Sequence, residues 1–355
     1  MIKRLVYVVS LVLSATVMAS IDGHTIDNGR VDILMGVNNV EDLVAIPHSP
    51  WIIGSGVGSW RFHGGALHLI NEDQFTVSTV DLNDFNGEDA QAPYDQCDSA
   101  PDPSAFSAHG LSLVPHGENT YKLYVVNHGG REAIEVFHIS LATAEPTFSW
   151  VGCVYSPSMT FPNAVAGRSD GSIVLSVTMD LNGYVQRVFD GECCDKTGAV
   201  FSWNKQSGWE YLEGSAFAQN NGIELSQDEQ WAFVASLPDA SVTRIPLDPS
   251  LGEATRIPLA FYPDNIRRSP DGKLLVAGVE NTGLLKVNWC VGINYPHCAI
   301  DYRADKIDPE TLQVTPVYSG QGSYDFGLAT SALETATGLW FGSVRTKTVV
   351  RVRYD

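Results

Sequence analysis

The sequence lacks the signatures that mark most enzyme classes. It has no His-Glu-x-x-His, no phosphate-binding glycine loop and no EF-hand loop. It has no Cys-x-x-Cys either, which disfavours zinc. Basic residues are scarce, 22 Lys and Arg against 41 Asp and Glu, for a formal net charge of −19. A chain this acidic has little electrostatic hold on nucleic acid or an anionic membrane, and it draws in cations. Beyond the N-terminus no apolar run is long enough to span a bilayer. No window sustains a helical apolar period over three turns. Charged residues make up only 18%, alongside 32 Gly and 18 Pro. What remains is the composition of a turn-rich, strand-rich protein.

The first nineteen residues, 1–19, read as a secretory signal. Lys3 and Arg4 head an apolar stretch from Leu5 to Leu13, and Val17-Met18-Ala19 offers a cleavage site before Ser20. The expected product is exported, periplasmic or extracellular, with residues 20–355 as one domain. Six cysteines in such a chain point to disulfides. Cys290 and Cys298 flank a short loop and form the best local pair. Cys193-Cys194 is a vicinal pair in a turn, and Cys97 and Cys153 remain.

The rest of the chain repeats coarsely. Each unit opens with a polar, ligand-type group, runs into an apolar strand, turns at Gly, Asn or Asp, and continues through a second strand and a looser hairpin. Six units begin at Val40, Phe106, Pro162, Asn220, Pro263 and Ala329. In the fifth, Leu284 to Asn288 and Val314 to Tyr318 read as the outer strands. The sixth supplies three strands, and Val31 to Gly36 can supply the fourth. The pattern predicts an all-β, six-bladed β-propeller with four-stranded blades, its ring closed by an N-terminal strand. Asp81 to Pro103 is an acidic, Pro-rich loop between the first two units.

In a propeller the first strand of each blade lines the central channel, so the first residues of these strands gather at one end. They are Glu41-Asp42, His109, Asn163, Asn221, Asp264-Asn265 and Thr330-Ser331. Glu41, Asn163, Asn221, Asp264 and Asn265 offer oxygen donors alone. A mixture of carboxylate and amide oxygen suits Ca²⁺, with Mg²⁺ or Mn²⁺ tolerated. Singly, such residues are ordinary turn formers; in register around a ring they read as a metal site. The second unit adds a hairpin, Phe106 to His128, whose ends place His109 and His128 at one sheet edge. His63, His68, His116, His138 and His297 read as surface or loop histidines. Trp51, Trp150, Trp203, Trp209, Trp231, Trp289 and Trp340 read as inter-blade packing.

Glu41-Asp42-Leu43, Ala108-His109-Gly110-Leu111-Ser112, Val125-Val126-Asn127-His128, Asn163-Ala164-Val165-Ala166, Asn221-Gly222-Ile223 and Asp264-Asn265-Ile266 occur in this order across nearly the whole chain. Together they resemble the paraoxonase/arylesterase family, within the wider gluconolactonase-like group of propellers. The resemblance implies a calcium-dependent hydrolase of lactones and aryl esters acting on a small-molecule ester or lactone. It implies that Glu41, Asn163, Asn221, Asp264 and Asn265 bind a catalytic calcium and that His109 and His128 form a histidine dyad activating water. It also implies a second, structural calcium at Asp42 and the Leu111 carbonyl. The family pattern carries an acid directly after the third blade's Asn, where this chain has Ala164. Two other readings stay open: a non-catalytic exported propeller that binds a ligand, and a sugar-lactone hydrolase of the gluconolactonase kind.

Overall fold

A computed structural model describes residues 20–21, 24–25, 31–58, 64–85, 87–191, 195–281, 284–292 and 298–354. The expected leader, Cys193, Cys194, His63 and His297 lie outside the described residues.

Six four-stranded antiparallel sheets stand around one axis, five of them with their strands in chain order from the channel outward. Blade 1 runs Val40–Ala45, Trp51–Gly56, Ala66–Asn71 and Thr76–Thr79. Blade 2 runs Ala108–Gly117, Thr120–Asn127, Ala133–Ser140 and Thr147–Tyr155. Blades 3 to 6 begin at Thr160–Gly167, Asn220–Leu225, Phe261–Arg268 and Ala329–Thr335. The ring closes as the sequence predicts. Val31–Met35 pairs with Thr348–Arg353, Val31 opposite Val352 and Met35 opposite Thr348, and so becomes the outer strand of blade 6.

The core lies between blades, where both faces of each sheet are covered. That is why inner strands read as continuous apolar runs; Ile173, Val174, Leu175 and Val177 are all fully buried. Trp150, Trp203 and Trp340 fill these seams, as expected of them. Trp289 does not: it sits on a helix and is 68% exposed. His68 also departs from the sequence reading. It lies within a blade 1 strand, is buried, and its Nε2 accepts the Asn38 amide at 3.1 Å.

Blade 5 differs from expectation. Leu284 to Asn288 belongs to a nine-residue helix, Leu284–Gly292, and the third strand is Tyr302–Ile307. The strand escapes an apolar reading because it carries Arg303, Asp305 and Lys306. Asp305 is nonetheless buried, held by Arg303 Nε at 2.7 Å. A second helix, Leu181–Phe189, follows the second strand of blade 3. Each helix is too short to leave a three-turn period in the sequence. Cys290 is bonded to Cys298, and Cys97 to Cys153, which fastens the 81–107 loop to the outer strand of blade 2. Among the described residues no helix is long and apolar enough to cross a membrane.

Candidate active site

The innermost strands share a defect. In all six blades the pairing of first and second strands slips near the start of the first. The slips fall between Val40 and Asp42, Ala108 and Leu111, Pro162 and Ala164, Asn220 and Ile223, Pro263 and Ile266, and Ala329 and Ser331. The residues skipped are Glu41; His109 and Gly110; Asn163; Asn221 and Gly222; Asp264 and Asn265; and Thr330. A β-bulge leaves its extra residue out of the ladder and re-aims its side chain. The six bulges therefore select the side chains that the repeat places at the channel end.

The glycines belong to the same device. A Cβ on Gly222 would lie 2.5 Å from the Asp264 carbonyl and 2.6 Å from Asn265 Cα; one on Gly110 would lie 2.6 Å from the Asn163 carbonyl and from Ala164 Cα. Each bulge nests against the backbone of the next, and neither contact leaves room for a methyl group. Gly222→Ala is expected to cost about 1–3 kcal/mol, as overpacking does, read as a lower urea midpoint. An unchanged midpoint would show that the nesting is dispensable.

The ring of oxygens is buried and under-satisfied. Glu41 and Asn265 are almost fully buried, Asn163 and Asn221 nearly so, and Asp264 is half-buried. Glu41 Oε1 accepts Asn265 Nδ2 at 2.6 Å, and the Glu41 carbonyl accepts Thr330 Oγ1 at 2.7 Å. Glu41 Oε2, Asn163 Oδ1, Asn221 Oδ1 and Asn265 Oδ1 are buried with no hydrogen-bond partner. Buried polar atoms are normally satisfied, and each orphan costs on the order of 1–3 kcal/mol. Four orphaned oxygens carried by four blades at the same channel end are the donor chemistry of a hard cation, with Glu41 and Asp264 to balance a divalent charge. Among the described residues no three His, Cys, Asp or Glu side chains form a metal-holding group, so the amide oxygens are essential to such a site. Burial raises Asp264 well above the usual carboxylate range, and the charges of Glu41 and Asp42 add to it, against a hydrogen bond with Asn221.

Beside this ring the two histidines meet. His109 Nδ1 and His128 Nε2 are 2.7 Å apart, with ring centroids at 5.0 Å. His128 Nδ1 lies 2.8 Å from Glu132 Oε2, and His109 Nε2 lies 3.6 Å from Glu41 Oε1. His128 stacks on Phe161 at 4.7 Å and 9°. The adjacent turn is pinned by Asn127 Oδ1, which accepts the amides of Ser107 at 3.0 Å and Gly129 at 2.9 Å. Asn127 Nδ2 in turn donates to Glu135 at 3.2 Å; that fully buried carboxylate also takes Arg131 Nε at 2.7 Å and Trp150 Nε1 at 2.9 Å.

The carboxylate of Glu132 fixes the tautomers. With both rings neutral it accepts His128 Nδ1–H, His128 Nε2 accepts His109 Nδ1–H, and His109 Nε2 faces the Glu41 carboxylate. Burial lowers His128, and the neighbouring His109 adds to that, against Glu132. Burial pulls His109 the same way, but the Glu41 carboxylate overrides it and leaves His109 raised. The two imidazoles are thus pushed apart, as in sites that handle protons. Glu132 was not legible as part of the site: it stands four residues beyond His128 on a short turn, with no motif around it. Asp42, the proposed ligand of a second ion, is not part of the orphaned set; it is in contact with Arg267.

The mouth is formed by the connections that leave at the same sheet edge. These include both helices and the 81–107 loop, with Phe189 82%, Leu285 86% and Tyr324 70% exposed. A cleft of about 840 Å³ lies on the flank of blade 3, walled by Asp180, Arg187, Phe201, Trp209 and Tyr211 among others; none of the candidate ligands lines it.

No protein-family model matches the chain, and no curated protein matches it by sequence. Solved structures do match in fold. A luciferin-regenerating enzyme is similar with a TM-score of 0.52 at 12% identity, covering 92% of this chain and 96% of that one. A gluconolactonase from Xanthomonas campestris is similar with a TM-score of 0.52 at 16% identity, covering 92% and 89%. At these identities the likeness establishes the six-bladed architecture.

Proposed function

We propose that the protein is a calcium-dependent hydrolase of lactones and aryl esters, exported to an oxidising compartment. The observation that carries this reading is the meeting of two features at one channel end: four buried, orphaned oxygens delivered by four blades, and a hydrogen-bonded pair of imidazoles beside Glu41. Ligand binding alone gives no reason for a Glu132–His128–His109 chain that ends at Glu41. The gluconolactonase among the structures of the same fold supports the reaction class. The two disulfides support the compartment.

Glu41, Asn163, Asn221, Asp264 and Asn265 would hold the calcium ion. The chemistry such an ion supplies when bound is Lewis-acid polarisation of an ester carbonyl. The chain's own part is proton handling. His109 Nε2 takes the proton of an attacking water, and His128 accepts the hydrogen bond that keeps His109 in the right tautomer. Glu132 is a positioning residue that stabilises positive charge passing to the pair.

Glu132→Gln is expected to lower kcat about tenfold to a hundredfold, the worth of one charge-assisted hydrogen bond. It should also shift the acid limb of the pH profile. An unchanged profile would mean that Glu132 does not act through His128. The function itself is tested by a panel of aryl esters, acyl-lactones and sugar lactones, with calcium or with chelator. Calcium-dependent cleavage of the first two is the expected result. Preference for sugar lactones would turn the reading to a gluconolactonase, and cleavage of none would leave a ligand-binding propeller.

A further inference from the structure

The second calcium implied by the resemblance does not fit this chain. Asp42 is completely buried. Its Oδ1 accepts the Leu43 amide at 2.8 Å; its Oδ2 accepts the Leu111 amide at 2.8 Å and is in direct contact with Arg267 Nη2. The same Nη2 donates to the Leu111 carbonyl at 2.8 Å, Nε donates to the Leu43 carbonyl at 2.9 Å, and Nη1 donates to the Ile266 carbonyl at 3.0 Å. The two groups assigned to a structural ion, Asp42 and the Leu111 carbonyl, are thus both held by one guanidinium.

We propose that Arg267 is the resident cation of the channel centre, standing where a structural divalent ion would otherwise be needed. Three observations carry this. The first is occupancy: the fork reaches blade 1 at Asp42 and Leu43 and blade 2 at Leu111, starting from blade 5. The second is charge. The family pattern has a second acid after the third blade's Asn, and here that position is Ala164, buried against Gly110. One carboxylate facing one guanidinium is neutral, as two carboxylates facing a divalent ion are. A divalent ion crowded against the guanidinium would be repelled. The third is placement. Asp42 follows Glu41, Leu111 follows the His109-Gly110 bulge, and Arg267 lies two residues past Asn265. The guanidinium therefore braces three of the six bulges from beneath. Its planar fork suits several fixed oxygens better than an ammonium would.

Removing the guanidinium would leave a buried carboxylate and three carbonyls around a hole, a donor set of the kind calcium takes. The experiment counts metal in the purified full chain after equilibration with calcium, by elemental analysis, and follows melting with and without chelator. It does not depend on hydrolase activity. Wild type is expected to hold about one calcium, and Arg267→Ser about one more than wild type, with a larger drop in melting temperature on chelation. Arg267→Lys, which keeps a cation there, should stay at the wild-type count. A Ser variant that gains no metal, or that calcium cannot bring to fold, overturns the inference; so does a wild type that already holds two, or a Lys variant that gains one. Wild type with none and Ser with one would uphold Arg267 while removing the upper calcium site, so the two readings fail separately.

Discussion

His109→Gln is expected to reduce lactone and aryl-ester hydrolysis about 10²- to 10⁴-fold, the usual share of a positioned general base. The expectation rests on His109 Nε2, the end of the Glu132–His128–His109 chain that faces the oxygens. Glutamine keeps a polar side chain of similar reach at the bulge but cannot take up a proton. Calcium-dependent stabilisation should therefore persist in the variant, since His109 is not among the orphaned-oxygen donors. A variant that hydrolyses as fast as wild type would remove the histidine pair from the mechanism. One that loses calcium stabilisation together with activity would make His109 part of the metal site.

Chelation is the second large effect, and its sign with pH follows from Asp264. Its pKa is raised in the folded chain by burial and by Glu41 and Asp42, so the folded state holds the proton more tightly than the unfolded state. Stability of the metal-free protein therefore falls as pH rises from the ordinary Asp range through the raised value of Asp264. A cation on the same carboxylates competes with that proton and removes the penalty. The expected result is a calcium effect on melting that grows as pH rises above the ordinary Asp range, reaching about 2.7 kcal/mol at a hundredfold excess of calcium over Kd. Equal melting temperatures with and without chelator at every pH would count against the site. Asp264→Asn should flatten the pH dependence of the metal-free protein and weaken calcium binding together.

Much of this arrangement was legible before any coordinates. Blade starts could be read because each combines a polar group with an apolar run, and the placing of the oxygen-bearing residues at one channel end followed from their register. The hairpin that joins His109 to His128 was equally plain: two apolar runs around Pro115 to Asn119. What could not be read were features set by partners distant in sequence. Tyr302–Ile307 is a strand whose buried charge is masked by Arg303, so its polarity suggests a loop. Arg267 reads as an ordinary charged residue after Asn265-Ile266. Its meaning depends on Asp42, 225 positions away. The bulges themselves leave no mark in the sequence beyond the small residues that follow some of them.

The closing strand has a bearing on how the molecule comes into being. Each blade is a local meander that can form from neighbouring residues, yet Glu41 lies just past the seam where Val31–Met35 joins the C-terminal strand. Its partners Asn265 and Thr330 are 224 and 289 positions away. Such contacts are closed late, after the entropy of the largest loop has been overcome. An incomplete nascent chain, or one released before its last strand docks, can contain blades but not the finished oxygen ring. Calcium would therefore act only on a completed ring, as a latch on a closed circle and not as a nucleus for folding.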